Sequence, residues 1–268
     1  MQVLRDGLDV GQFFQRVGAA PRRLLLLDYD GTLAPFHAQR DAARPYPGVP
    51  AALDAIIAAG HTRVALVSGR AAEEVPRLLG LRHPVEVWGS HGAERLLPDG
   101  TYRLAELPPA ARDALVLAQA WASAHDLGDC FERKPAAVAL HWRGLTERAA
   151  QSLRSQALDI WPQIARDGGL ELRPFDGGLE LRVPGFDKGA VVQTLLAESG
   201  EGTAAAYLGD DLTDEDAFQA IDGRGLAVLV RPALRPSRAS LWLRPPNELL
   251  AFLERWQQAA GNARAHNE

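Results

Sequence analysis

Two aspartates, Asp28 and Asp30, stand at i and i+2 directly after four consecutive leucines and just before Gly31-Thr32. Carboxylates this close repel each other and lose solvation beside an apolar run, so a cation should hold them. A hard divalent ion such as Mg²⁺, bound by one or two carboxylates together with phosphate oxygens of a substrate, suits the spacing. Three further polar clusters end short apolar runs: Ser68-Gly69-Arg70, Ser90-His91-Gly92-Ala93-Glu94 and Asp210-Asp211-Leu212-Thr213-Asp214. Ser68 reads as lying at a helix N-terminus, where backbone N–H groups and the helix dipole favour a phosphate. Arg70 in the first turn of that helix, and Lys188 opening another, are cations at disfavoured ends, which points to an anion between them. Thr213 reads as a cap, with Asp214, Glu215 and Asp216 in the turn after it. That leaves Asp210 unexplained except as a strand-end partner of Asp28, which strengthens the Mg²⁺ reading.

Basic residues add a second signal. Lys and Arg total 29, yet only Lys134 and Lys188 are lysines, so 27 are arginine. A lysine kept against that bias marks a place for a compact, flexible ammonium where a planar guanidinium fails.

These residues need elements to carry them. Arg23–Leu27 reads as a strand buried on both faces. Strands follow at Arg63–Val67, Val85–Trp88, Ala204–Leu208, Gly225–Val230 and Ser240–Leu243. Helices are expected over Val3–Val17, Gly48–Gly60, Ala71–Leu79, Lys188–Ser199, Asp214–Ile221 and Pro246 to about Gln258, after which the tail reads as frayed. Leu33–Pro50 shows no period and reads as a loop. The alternation implies an α/β fold with a doubly wound, Rossmann-like parallel sheet, whose strand ends bring the four clusters to one edge. Leu96–Leu104 breaks the alternation as a hairpin turning at Pro98-Asp99-Gly100. Then come helix Pro109–His125, strands Cys130–Lys134 and Ala137–Arg143, helix Thr146–Asp167, and strands Leu170–Pro174 and Leu179–Val183 about a Gly177-Gly178 turn. The expected division is a core of residues 1–106 and 185–268, with residues 107–184 forming an inserted α/β domain with an antiparallel sheet.

Composition narrows the function. Of 268 residues 47% are apolar and 24% charged, ordinary for a globular chain. A net charge of −5 argues against a general binder of nucleic acid or of membrane surfaces. With Cys130 as the one cysteine, no intrachain disulfide or thiolate zinc cluster can form. No run approaches a membrane span and Met1–Val10 lacks a signal-peptide pattern, so the cytoplasm is the expected location.

The set D-x-D-G-T, S-G-R, a lone lysine and G-D-D-x-T-D, in that order, resembles the haloacid dehalogenase superfamily of phosphatases. The resemblance implies that Asp28 is the nucleophile taking the phosphoryl group and that Asp30 is the acid, then the base. It implies that Thr32, Ser68 and Arg70 hold phosphate oxygens and that Lys188 offsets their charge. Mg²⁺ is expected on Asp28, the Asp30 backbone carbonyl and Asp210, with Asp214 behind it or reaching it through water. An insert between the S-G-R and lysine segments resembles the C2 type of cap, which selects the substrate.

Within that superfamily, Glu132-Arg133-Lys134, His141-Trp142-Arg143 and Glu180-Leu181-Arg182, with Ser90, His91 and Glu94, look like the trehalose-6-phosphate phosphatases. Both lysines fall in these motifs. Trp142 departs from the tyrosine more often expected there but stays aromatic. Strand alternation sets Glu132 with Lys134 on one face and His141 with Arg143 on one face. Together with Glu180 these would bind a disaccharide. The implied reaction is hydrolysis of trehalose 6-phosphate. Alternatives are another sugar phosphate, such as sucrose phosphate or a glycosylphosphoglycerate, or a non-catalytic sugar-phosphate sensor. Association with a trehalose-phosphate synthase is left open.

Overall fold

Leu24, Leu25, Leu26 and Leu27 are all fully buried, and they serve two cores. Leu25 and Leu27 join one cluster, Leu24 and Leu26 another on the opposite face of the sheet. A strand covered on both sides requires this, and it explains why the run is apolar throughout rather than alternating. The computed structural model describes residues 1–37, 42–175 and 177–261. Part of the loop expected over Leu33–Pro50, and the end of the tail expected to fray, lie outside the described residues.

The chain opens with β1 (Gln2–Val3), α1 (Val10–Ala19), β2 (Arg22–Leu27), α2 (Val49–Ala58), β3 (Arg63–Val67) and α3 (Glu74–Leu79). Next come β4 (Glu86–Gly89), β5 (Glu94–Leu96), β6 (Tyr102–Leu104), α4 (Pro109–Ala124), β7 (Phe131–Lys134), β8 (Ala137–His141) and α5 (Glu147–Gly168). It continues with β9 (Glu171–Phe175), β10 (Gly178–Arg182), α6 (Lys188–Ser199), β11 (Thr203–Gly209) and α7 (Glu215–Ile221). It closes with β12 (Leu226–Val230), β13 (Leu241–Leu243) and α8 (Asn247–Gly261). Two compact units result: Met1–Arg103 with Asp187–Glu268, and Leu104–Phe186.

In the first unit nine strands are ordered β1-β13-β12-β11-β2-β3-β4-β5-β6. From β13 to β4 the pairing is parallel, with β1 and β5 antiparallel at its flanks. One face packs side chains of α1, α2, α3 and α8, the other those of α6 and α7, which is the doubly wound arrangement. The ends of β2, β3, β4 and β11 therefore share an edge.

Two helices begin three or more residues later than expected, each for a visible reason. Gln2 and Val3 pair with Trp242 and Leu241, so the first helix starts only at Val10, behind Asp9, whose side chain accepts from Gln12 N. Ala71, Ala72 and Glu73 are not helical because the Arg70 carbonyl, which the turn would need, accepts from Ser90 N at 2.7 Å. Ser68 and Arg70 thus precede α3 by several residues, and the helix-terminus argument does not apply to them.

The second unit is a four-stranded antiparallel sheet ordered β7-β8-β10-β9, with α4 and α5 packed on it. Its register aligns Glu132, Ala139, Glu180 and Arg173 in one row and Lys134, Ala137, Arg182 and Glu171 in the next. Cross-strand partners share a face, so these rows form one charged face. Val138, Leu140, Leu179 and Leu181 point the other way and are buried.

Candidate active site

Asp28 follows β2 and is 3% exposed. Its Oδ1 accepts from Lys188 Nζ at 2.7 Å and its Oδ2 from Thr32 Oγ1 at 3.2 Å. Lys188 opens α6, where Asp187 caps the helix by accepting from Ala190 N at 2.8 Å. The same ammonium donates to Asp214 Oδ1 at 2.7 Å. The anion expected at this helix start is thus supplied by two carboxylates of the protein itself. Asp214 is fully buried and accepts four hydrogen bonds: Lys188 and Tyr207 Oη (2.6 Å) on one oxygen, and the N–H groups of Asp210 (3.0 Å) and Asp211 (2.9 Å) on the other. The cap of this turn is Asp211, in a capping box with Asp214, and not Thr213 as the sequence pattern had it.

Electrostatics leave this cluster short of positive charge. One carboxylate oxygen from each of Asp28, Asp210 and Asp214 lies within 4.8 Å of the others. Burial pushes the Asp28 carboxyl up to about 7, against the pull of Lys188. Burial, with Asp28 and Asp214 nearby, pushes Asp210 up to about 9. Lys188 stays charged: its two aspartates outweigh the burial that works against it and raise it further. That ammonium hydrogen-bonds Asp28 and Asp214, and its pull on Asp210 is outweighed by burial and the two other carboxylates. Close packing holds the Asp210 carboxylate in place, since a Cβ at Gly31, whose φ is +85°, would meet its Oδ2 at 2.0 Å. The Asp210 carbonyl is fixed from behind by Arg231 Nη1 (3.3 Å) and Arg235 Nε (3.2 Å). All-oxygen donors with excess negative charge fit a hard divalent cation.

The second strand end is occupied differently from the expectation. Ser68 is buried, and its Oγ accepts from Arg70 N at 3.2 Å. Arg70 directs its guanidinium to Asp30, with Nε to Oδ2 and Nη2 to Oδ1, both at 2.6 Å. At the third strand end, Ser90 and His91 both adopt left-handed backbone, with φ of 49° and 58°, ahead of Gly92. That conformation costs energy in non-glycine residues and is held here by tertiary contacts. His91 N donates to the Ser68 carbonyl at 3.0 Å, and the His91 ring lies where a Cβ at Gly69 would come within 2.8 Å of it. Glu94 is buried, accepting from Ser90 Oγ and from Tyr102 Oη at 2.8 Å, so its carboxylate braces the loop.

On the second unit's charged face, Lys134 Nζ reaches Glu180 Oε1 at 2.9 Å, and His141 Nε2 lies 2.9 Å from Glu132 Oε2. Lys134 and Glu180 meet across β8 beside Ala137 and Ala139, which with His141 are the β8 residues on that face. Arg143 lies two residues beyond the end of β8. Strand β8 ends at His141, and the chain turns through Gly144, with φ of +87°. There Arg143 packs against Gly177.

The structure therefore groups Asp28, Thr32, Lys188, Asp210 and Asp214, sets Asp30 with Arg70, and gathers Glu132, Lys134, His141 and Glu180 separately on the second unit. Tyr207, Arg231 and Arg235 were not anticipated. Tyr207 lies inside an apolar strand pattern, and the two arginines are hidden among many.

Solved structures share the fold. A haloacid dehalogenase-like hydrolase from Bacteroides thetaiotaomicron superposes with a TM-score of 0.63 over 87% of this chain and 99% of its own, at 16% identity, and so shares the fold. A trehalose-6-phosphate phosphatase related protein matches with a TM-score of 0.68 at 26% identity, over 88% of this chain and 97% of its own. Residues 26–242 match the family described as trehalose-phosphatase, and the chain belongs to that family. The trehalose-phosphate phosphatase of Mycobacterium marinum is 35% identical over 223 residues, 79% of this chain and 54% of the relative. The chain thus spans about half the length of that curated relative. Among the described residues no helix is long and apolar enough to cross a membrane.

Proposed function

We propose that the protein hydrolyses trehalose 6-phosphate to trehalose and phosphate in a Mg²⁺-dependent reaction through an aspartyl-phosphate on Asp28. The observation that carries this is the Asp28 carboxylate: buried, and held between Lys188 Nζ and Thr32 Oγ1 at the end of a central strand. Such a carboxylate is oriented for attack.

In the first half-reaction an Asp28 oxygen bonds to phosphorus as the phosphorus–sugar oxygen bond breaks. The electron pair of that bond stays on the sugar oxygen, which takes a proton from Asp30. In the second half a water attacks phosphorus, gives its proton to Asp30, and the phosphorus–Asp28 bond breaks to regenerate the carboxylate. Thr32 and Ser68 hydroxyls and the Lys188 ammonium hold the phosphoryl oxygens through both halves. Asp28, the Asp30 backbone carbonyl and Asp210 would hold Mg²⁺, with Asp214 fixing the loop behind it; when bound, the ion supplies positive charge to the phosphoryl oxygens. Glu132, Lys134, His141 and Glu180 offer alternating donors and acceptors suited to sugar hydroxyls and would select the disaccharide, with Arg143 beside them.

Phosphate release from trehalose 6-phosphate, glucose 6-phosphate and sucrose phosphate, with Mg²⁺ and with EDTA, tests the proposal. Trehalose 6-phosphate is expected to be the preferred substrate, with Mg²⁺ required. Turnover no faster than that of glucose 6-phosphate would remove the assignment of the sugar.

A further inference from the structure

Arg70 belongs to a motif expected to bind phosphate, yet its surroundings fit another task. Its side chain is 2% exposed, whereas that of Asp30 is 31% exposed. Both ends of the arginine are pinned. Its N–H donates to Ser68 Oγ, and its carbonyl accepts from Ser90 N at 2.7 Å. The guanidinium stands 5.5 Å from the centroid of the Tyr29 ring, a fully buried side chain whose hydroxyl donates to the Ala43 carbonyl at 3.0 Å. Glu74 lies 3.9 Å from the outer Nη1. From this fixed base, two parallel N–H groups grip both oxygens of Asp30 at 2.6 Å. A fork-to-carboxylate pair sets the plane of the carboxyl group as well as its distance, which a single ammonium cannot do.

We infer that Arg70 is a positioning residue that aims Asp30 at the leaving-group oxygen, and that it is not a ligand of the phosphate. The inference rests on the phosphatase reading given above. A carboxylate has about four lone-pair sites and the fork occupies one on each oxygen, so Asp30 can give or take a proton on its outer side without leaving the arginine. A buried arginine thereby controls the direction of a carboxyl group that must face solvent and substrate.

Leaving-group dependence separates this role from phosphate binding and from general support of the fold. The value of kcat/KM reports steps only through transfer of the phosphoryl group to Asp28. In that step a sugar alkoxide needs protonation, whereas p-nitrophenolate does not. The measurement is the ratio of kcat/KM on trehalose 6-phosphate to that on p-nitrophenyl phosphate, taken within each variant so that the folded fraction cancels. Since general acid catalysis contributes roughly 10²–10⁴-fold, Arg70→Lys and Arg70→Gln should each lower the ratio by about 10- to 100-fold. Asp30→Asn should lower it at least as far, and adding Arg70→Lys to Asp30→Asn should lower it no further. An equal loss on both esters, or a further fall of the ratio in the double variant, would overturn the inference. If the parent protein does not hydrolyse trehalose 6-phosphate, the sugar assignment fails, and the ratio is then read with whichever sugar phosphate of the panel it does hydrolyse. A parent active on none of them overturns both.

Discussion

The edge of the nine-stranded sheet and the charged face of the four-stranded sheet both gather acids and bases, but they hold them in opposite ways. At the sheet edge Asp28, Lys188 and Asp214 are buried, and Asp214 is tied to backbone N–H groups as well as to side chains. On the second unit Glu132 and His141 are part-exposed, and the Lys134–Glu180 and His141–Glu132 bonds run from side chain to side chain. Backbone anchoring fixes positions to a fraction of an ångström, as bond-making requires. Pairs held only by side chains, without backbone anchors, can exchange partners with a ligand's hydroxyls at smaller cost. Under the proposed function, the first region would carry the chemistry and the second the choice of sugar.

The sharpest way to break this contrast is Asp28→Asn. It should lower kcat by about 10⁴-fold or more while trehalose 6-phosphate still binds, as measured by steady-state kinetics and calorimetry. Retained turnover would remove the nucleophile assignment. Substitutions on the second unit's charged face should act on the other parameter if that face selects the sugar. Lys134→Ala or Glu180→Ala is expected to raise KM for trehalose 6-phosphate by about 10- to 100-fold with a smaller change in kcat, since each leaves a polar partner unmatched. A fall confined to kcat would erase the distinction between the regions.

Metal removal probes the charge shortage. In the folded protein without metal, burial and the neighbouring carboxylates push Asp28 up to about 7 and Asp210 up to about 9, against about 3.9 in the unfolded chain. The folded state therefore binds more protons than the unfolded state between about pH 4 and pH 9, and stability falls as pH rises through that window. In EDTA the melting temperature should drop between pH 5 and pH 9, and saturating Mg²⁺ should flatten the slope. Glu198 does not confound this. Its bonds to Arg95 and Arg63 hold it down to about 2, so its contribution is complete above its unfolded value and is lost only in acid. A slope unchanged by Mg²⁺ would count against a cation between Asp28 and Asp210. The smallest effect is expected next to the site, at Asp187→Ala. Loss of the α6 cap should cost about 1 kcal/mol, a drop of roughly 2–4 °C in melting temperature.

Much of the framework was legible because it follows from burial and period. The bounds Arg63–Val67 and Lys188–Ser199 are the same in sequence and structure, and the leucine run is doubly buried as its composition implied. Parallel order alone brings strand ends to one edge, so clusters far apart in sequence could be grouped before any coordinates. Partner choice was not legible. That Arg70 turns to Asp30 depends on a bond from Ser90, twenty residues on, which also delays α3. The alternation read through Arg143 runs two residues past His141, where β8 ends, and a two-residue repeat carries no mark of where a strand stops. Arg231 and Arg235 grip a main-chain carbonyl, an interaction that leaves no pattern in a chain with 27 arginines.

The place of β2 between β3 and β11 has a consequence for synthesis of the chain. Its Leu24–Leu27 segment pairs on one side with residues 63–66 and on the other with residues 205–208, about 180 positions later. Until the ribosome has delivered β11, the four leucines form an uncovered, uncharged sheet edge, the kind of surface that recruits other chains. The whole second unit is made during that interval. A nascent or truncated chain ending before residue 203 would carry Asp28 beside this apolar segment, without the strand that pairs with both.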